Sequence, residues 1–320
     1  MLTRRQFRIK VLQAVYAFHQ SEGERVDQAE RQLLKSIDRI HELYIYQLSL
    51  LVDIADFFKV RIEENKGKHI PSEEDLNPNT RFIDNFFMNQ LSSNRNFIKY
   101  RNQYKISWVD YNEMIRKFHQ TVRESEAYKS YMSSSECGYK DDKDIIATIF
   151  NEIIVPTENL QELYEEKSIY WIDDYELANF MVNKTIKGYR AAWDEYAALP
   201  AIYKEGDSLD PESDKEFVIR LFRKTVFNNT ELEKLIDEKA HNWEVERIAV
   251  IDILLLKMAL AELMEFPSIP VKVTLNEYIE LAKLYSSPKS NVFVNGILDR
   301  LIIELKEADR IKKTGRGLME

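Results

Sequence analysis

The sequence predicts an all-α protein, and three observations carry that prediction. Glycine and proline number only 8 each in 320 residues, too few for the turns a sheet-rich chain of this size would need. Leu, Ile, Glu and Lys recur at three-to-four spacing, the period of amphipathic helices. No stretch shows a strand pattern of alternating apolar and polar residues. The length suits one large domain or two modest ones, and an apolar content of 44% is ample for a core.

Thr3-Arg4-Arg5-Gln6 fits a capping box, with Thr3 at the N-cap and Gln6 at N3. The helix it opens runs to about Gln20, with Phe7, Val11, Ala14, Val15 and Phe18 as its apolar stripe. Arg4, Arg5 and Arg8 lie at the end where a helix already carries partial positive charge, so they oppose its dipole. An anion held there would reverse the sign, because free N–H groups and guanidinium forks both bind phosphate. A solvated basic end, or an organelle presequence, remains open at this point.

Residues 27–65 read as one or two helices, and Lys66 to Thr80, with Gly67, Pro71 and Pro78, as a loop. Residues 81–104 read as one amphipathic helix, and a further one capped by Ser107 runs to about Met132. Aromatic residues interleaved with Arg95, Lys99, Arg101 and Lys105 could mimic a base-stacking surface. A helical core with snorkelling cations is the reading preferred. Ser133 to Gly138 is a break.

Beyond it lies an internal repeat. A shift of 72 residues aligns Lys143–Ala178 with Lys215–Val250 without gaps. It matches Phe150 with Phe222, Leu160 with Leu232, Leu163 with Leu235, and Glu166-Lys167 and Trp171 with Glu238-Lys239 and Trp243. Two copies do not make a solenoid, so a duplicated helix pair that extends a bundle is expected.

After Trp243 a helix is expected from about Val245 to Met264. Its apolar run is interrupted by Asp252, Lys257 and Glu262, which marks a buried helix and not a membrane span. Thr274-Leu275-Asn276-Glu277 reads as a second capping box, opening a helix to Tyr285. Ser286 to Ser290 is a turn, and a last helix covers about Asn291 to Ala308. Inside it Gly296 costs about 1 kcal/mol relative to Ala, which suggests a close helix approach. Lys289 and Asn291 at its start would suit a phosphate.

Net charge is −9, yet residues 1–20 carry +4 and the other 300 therefore −13. An acidic body with a basic tip points to a local anion site. Cys137, the only cysteine, excludes an internal disulfide and a Cys-based zinc site, and a reducing cytoplasm is the natural setting. No signal peptide is visible. The five histidines show no metal-ligand spacing, no nucleophile motif is present, and eight unclustered glycines argue against a nucleotide-cofactor loop, so neither enzyme activity nor a cofactor is expected.

Pro270-x-Lys272-Val273-x-Leu275-Asn276-Glu277, Glu280-Leu281-Ala282-Lys283 and Phe293-Val294-Asn295-Gly296-Ile297-Leu298-Asp299 resemble the C-terminal signature of the NusB family of transcription antitermination factors. Leu256 to Leu263 resembles the helix that precedes it, and Arg4-Arg5-x-x-Arg8 with Leu12-Gln13-Ala14-Val15-Tyr16 resembles the family's arginine-rich first helix. The resemblance implies NusB-like packed helical bundles. It implies binding of boxA RNA in rRNA leader transcripts together with NusE, a small-subunit ribosomal protein, within the RNA polymerase antitermination complex in the cytoplasm. By position it implies RNA contacts from Arg4, Arg5, Arg8, Lys289, Ser290 and Phe293, and partner contacts from Glu246 and Asp252.

The chain departs from the family in having Asn291-Val292 where a cationic pair is usual, and Lys289 where an acid is common. It is also much longer. The expected organisation is a NusB-like N-terminal helix at 1–22, an additional helical insertion at 23–140, repeat copy 1 at 141–214, a NusB-like C-terminal region at 215–310 and a basic tail at 311–320. The alternative reading is a NusB-fold scaffold that binds a protein without specific RNA binding.

Overall fold

The computed structural model of the chain describes residues 2–21, 25–136, 138–203, 213–240 and 249–319. Cys137, Trp243, Val245 and Glu246, named above, lie outside the described residues. Within the described residues there are fifteen α-helices and no strand. They belong to two compact units: a discontinuous one, Met1–Ile37 with Tyr203–Glu320, and an inserted one, Asp38–Ile202.

The discontinuous unit contains α1 (Arg4–Gln20), the start of α2 (Val26–Lys66), α11 (Asp214–Phe227), α12 (Asn229–Ala240), α13 (Val250–Glu265), α14 (Val271–Tyr285) and α15 (Ser290–Glu307). The capping box at Thr3 and Gln6 forms as the sequence predicts, and Phe7, Val11 and Val15 are buried. At the centre is α13, against which α1, α11, α12, α14 and α15 all pack. Its residues Leu254 to Leu263 are buried without exception.

The three charges on α13 explain how a helix buried on every side is held. Asp252, Lys257 and Glu262 follow at intervals of five residues, so at 3.6 residues per turn successive ones point in directions roughly 140° apart. Each meets a different neighbour. Asp252 accepts from the Ser290 hydroxyl of α15 at 2.7 Å, and Lys257 donates to Asn229 of α12 at 2.8 Å. Glu262 accepts from Arg8 of α1 at 2.7 Å and from Thr274 of α14 at 2.8 Å. The interruptions in the apolar run are thus polar anchors for the surrounding helices. Burial of Lys257 and Glu262 is tolerated because Glu233 lies 3.3 Å from the one and Arg8 pairs with the other.

The inserted unit holds the rest of α2, then α3 (Glu73–Leu76), α4 (Phe86–Ser93), α5 (Arg95–Gln103), α6 (Asn112–Glu124), α7 (Glu126–Ser133), α8 (Tyr139–Thr148), α9 (Glu158–Lys167) and α10 (Tyr175–Gly188). Its core is aromatic. Tyr46 lies in edge contact with Trp108, Tyr164 and Trp171, and the Trp171 ring N–H donates to the Arg39 carbonyl at 2.9 Å.

Several expected elements are subdivided. The helix expected over 81–104 is two, because Asn94 ends α4 and caps α5 with its side chain on the Phe97 N–H. The one expected to run to Met132 breaks at Ser125, whose hydroxyl caps α7. Thr274 does not cap a helix: α14 begins at Val271, after Pro270 at the N-cap, and Thr274 is buried inside it. Gly296 does not mark a close approach either, since a Cβ there would meet no atom within 4 Å.

The 72-residue repeat has a structural counterpart. α9 and α10 of the inserted unit correspond in register to α12 and α13, and α8 with the π-helical turn Ile149–Ile154 corresponds to α11. Ile145 and Phe217, Ile149 and Leu221, Phe150 and Phe222, and Leu160 and Leu232 are buried in both copies.

Candidate nucleic-acid interface

At the start of α1 a groove of about 780 Å³ is lined by Arg4, Arg5, Arg8, Arg220 and Arg316, by Phe266, Ile269, Val273 and Met319, and by Glu277. The arginines at positions 4, 5 and 8 share one end of α1 because its first turn is locked by the capping box. Their electrostatic conflict with the helix dipole is answered by carboxylates of the same chain. Arg4 lies 3.0 Å from Asp214 and over the Phe217 ring. Arg5 forms a two-pronged pair with Glu277 at 2.9 and 2.8 Å.

Arg8 does the same with Glu262 at 2.7 and 2.8 Å, but fully inside the core. Glu262 also accepts from the Tyr278 hydroxyl at 3.2 Å. Burial opposes the charge on Arg8, but Glu262 outweighs it and the guanidinium pKa rises above its usual range. The Arg5 hydrogen bonds hold the Glu277 carboxyl below its ordinary value, against its burial. Burial, with the Glu262 charge next, pushes the Tyr278 hydroxyl well up.

The three arginines therefore divide. The side chains of Arg4 and Arg5 are 35% and 43% exposed, against 3% for Arg8. Arg4 and Arg5 can present guanidinium edges to a ligand in the groove, and Arg8 positions the helix that carries them. Arg220 pairs with Glu265 at 3.2 Å and lies over Phe266. Arg316 makes no ion pair among the described residues.

Arg316 reaches the groove because the tail after α15 folds back. Thr314 donates its N–H to the Pro267 carbonyl at 3.0 Å, and the Lys313 ammonium donates to the Phe266 carbonyl at 2.9 Å. Burial lowers the Lys313 pKa to about 8. Gly317 passes so close that a Cβ would lie 1.9 Å from the Pro267 carbonyl oxygen. Neither Arg220 nor Phe266 carried a sequence signal. Arg316 was visible only as part of a basic tail.

The second predicted cluster sits at the start of α15. Lys289 is exposed, while Ser290, Phe293 and Asp252 are buried. The Ser290 hydroxyl donates to Asp252 and lies 2.9 and 2.8 Å from the hydroxyls of Ser286 and Ser287. Ser290 and Asp252 are thus brought together as a pair that ties α15 to α13, and Lys289 is the member of the cluster that faces solvent. Val292, at one of the departures from the family pattern, is 64% exposed. No cluster of three or more His, Cys, Asp or Glu able to hold a metal occurs among the described residues. No described helix is long and apolar enough to cross a membrane.

The family model described as NusB family matches residues 180–302. The transcription antitermination protein NusB of Salinibacter ruber (strain DSM 13855 / M31) is 44% identical over 126 residues, 39% of this chain and 78% of its own length. Those of Koribacter versatilis (strain Ellin345) and Chloroherpeton thalassium (strain ATCC 35110 / GB-78) are 42% identical over 103 residues and 41% over 106. These matches span 32% and 33% of this chain and 70% and 50% of the relatives. No solved structure matches the chain.

Proposed function

Because the chain belongs to the NusB family, we propose that it is a transcription antitermination factor that binds boxA RNA of rRNA leader transcripts jointly with NusE and acts in the RNA polymerase antitermination complex in the cytoplasm. The groove at the start of α1 carries the reading. It combines the partly exposed Arg4 and Arg5, and Arg316, which has no ion pair among the described residues, with an apolar lining of Phe266, Ile269, Val273 and Met319. Guanidinium groups suit phosphate oxygens, and apolar or aromatic surface suits unstacked bases. Lys289 adds a solvent-facing cation at the start of α15. Arg8, Ser290 and Phe293 support the surface from beneath. Asp252 acts through Ser290, by fixing the end of α15 that a protein partner would meet.

The test is a binding titration against boxA-containing and scrambled RNA at several salt concentrations, with and without the organism's NusE. Preference for boxA that tightens with NusE is expected. Replacing Arg4 or Arg5 with Ala should weaken binding to both RNAs alike and flatten the salt dependence by about 0.7 per lost contact on single strands. An unchanged slope removes that residue from the interface.

One observation favours a second reading, a scaffold that binds a protein without specific RNA binding. The carboxylates of Asp214 and Glu277 already neutralise the two exposed arginines. NusE binding with no preference for boxA in either condition would select it.

A further inference from the structure

The inserted unit contains a second cationic groove, outside the region that the NusB family model matches. Its volume is about 680 Å³. Arg116, His119, Gln120 and Arg123 line one side from α6, at the i, i+3, i+4 and i+7 spacing of a single helix face. Phe57 and Arg61 of α2 and Lys129 of α7 complete it.

The groove gathers four cations in one place. The inserted unit is acidic, with 20 Lys and Arg against 28 Asp and Glu. Two of the groove's own cations have a carboxylate close by, Arg61 with Glu64 at 2.6 Å and Lys129 with Glu126 at 2.7 Å. Arg116 and Arg123 are exposed and make no ion pair among the described residues. Glu124, the one acid lining the groove, accepts a hydrogen bond from Gln120 at 2.9 Å. The local positive field also registers on His119, whose pKa is lowered to about 4 by burial and then by Arg123 and Arg61.

Arg116 and Arg123, two helical turns apart, stand about 10 Å apart along the axis. That separation suits an extended chain of phosphates better than a single phosphate group. The Phe57 ring, half-buried and in edge contact with His119 at 5.1 Å, adds apolar surface beside them. A backbone-tracking cationic groove with adjacent ring surface is how single strands are held without sequence preference.

We propose that the groove formed by Arg61, Arg116, Arg123 and Lys129 binds the sugar-phosphate backbone of single-stranded RNA, giving this chain a second, sequence-tolerant RNA contact in its inserted unit. The inference rests on the RNA-binding reading of the family unit, so its test separates the two.

The full chain is titrated with a short oligouridylate and with boxA RNA over a range of salt concentrations. The wild type, R116Q/R123Q, R116K/R123K and R4A/R5A are compared, with thermal melts to check folding. The expected result for R116Q/R123Q is about tenfold weaker binding of both RNAs and a salt slope smaller by about 0.7 for each arginine. R116K/R123K should keep the wild-type slope, because it keeps the charge. If R116Q/R123Q matches the wild type while R4A/R5A loses affinity, the second site is refuted and the family reading stands. If no variant or wild type binds either RNA, both fall. Loss in R116Q/R123Q alone would uphold this groove and move RNA binding out of the family unit.

Discussion

At the scale of single residues, the pair Arg8–Glu262 shows why charge in a sequence is ambiguous. Arg8 belongs to a basic cluster that reads as a ligand site, yet its guanidinium is satisfied within the core. Removing one partner of a buried pair leaves an uncompensated charge and costs roughly 3–5 kcal/mol. Glu262→Gln and Arg8→Ala should each destabilise the protein by about that amount in urea denaturation. The double variant Arg8→Met with Glu262→Leu should lose clearly less than the sum, because neither orphan charge is left. A strictly additive result would show that the two side chains act independently. The cationic end of α1 was legible in the sequence. The division between exposed Arg4 and Arg5 and buried Arg8 was not, because it depends on Glu262, Thr274 and Tyr278, which lie more than 250 positions away.

At the scale of elements, local signals were read well where the residues bond locally and poorly where they bond at a distance. The capping box at Thr3 and Gln6 forms. The same pattern at Thr274 and Glu277 does not, because Thr274 donates to Glu262 and Glu277 accepts from Arg5. Asn94 splits α4 from α5 because its amide is drawn to Tyr189 and to the Ala197 carbonyl, 95 and 103 positions on. Two glycines give opposite expectations. Gly296 sits within α15 with open space around it, so Gly296→Ala should stabilise the protein by about 0.5–1 kcal/mol. Gly317→Ala would drive a methyl into the Pro267 carbonyl and should release the tail, seen as faster proteolysis after α15. A stabilising Gly317→Ala, or a destabilising Gly296→Ala, would contradict the packing described here.

At the scale of the whole molecule, the all-α fold class was legible because it rests on periodicity, which survives without knowledge of contacts. The boundary between the two compact units at Ile37 and Asp38 has no break in the sequence to mark it, because the two are consecutive residues of one helix, α2. The two units should also differ in their response to acid. His41 and His119, both in the inserted unit, are lowered by burial to about 4. His41 also has its Nδ1 2.9 Å from the Tyr104 hydroxyl. The folded state binds fewer protons than the unfolded one between about pH 4 and 6.5, so stability falls as pH drops through that window. For the more buried His41 the difference is on the order of 3 kcal/mol. His41→Gln should flatten the dependence of denaturation midpoint on pH between 4 and 6.5, and an unaltered profile would show that His41 does not drive it.

The insertion also sets an order of events during synthesis. Arg8 and Glu262 are 254 positions apart. At about 5–20 residues per second, roughly 13–50 s elapse between the emergence of one and of the other. For most of that interval the apolar face of α1, with Phe7, Val11 and Val15, is on the ribosome before α11 and α13, which cover it, have been made. The inserted unit is contiguous and complete before α11 is made. The discontinuous unit is therefore the last to fold, and its first helix waits the longest.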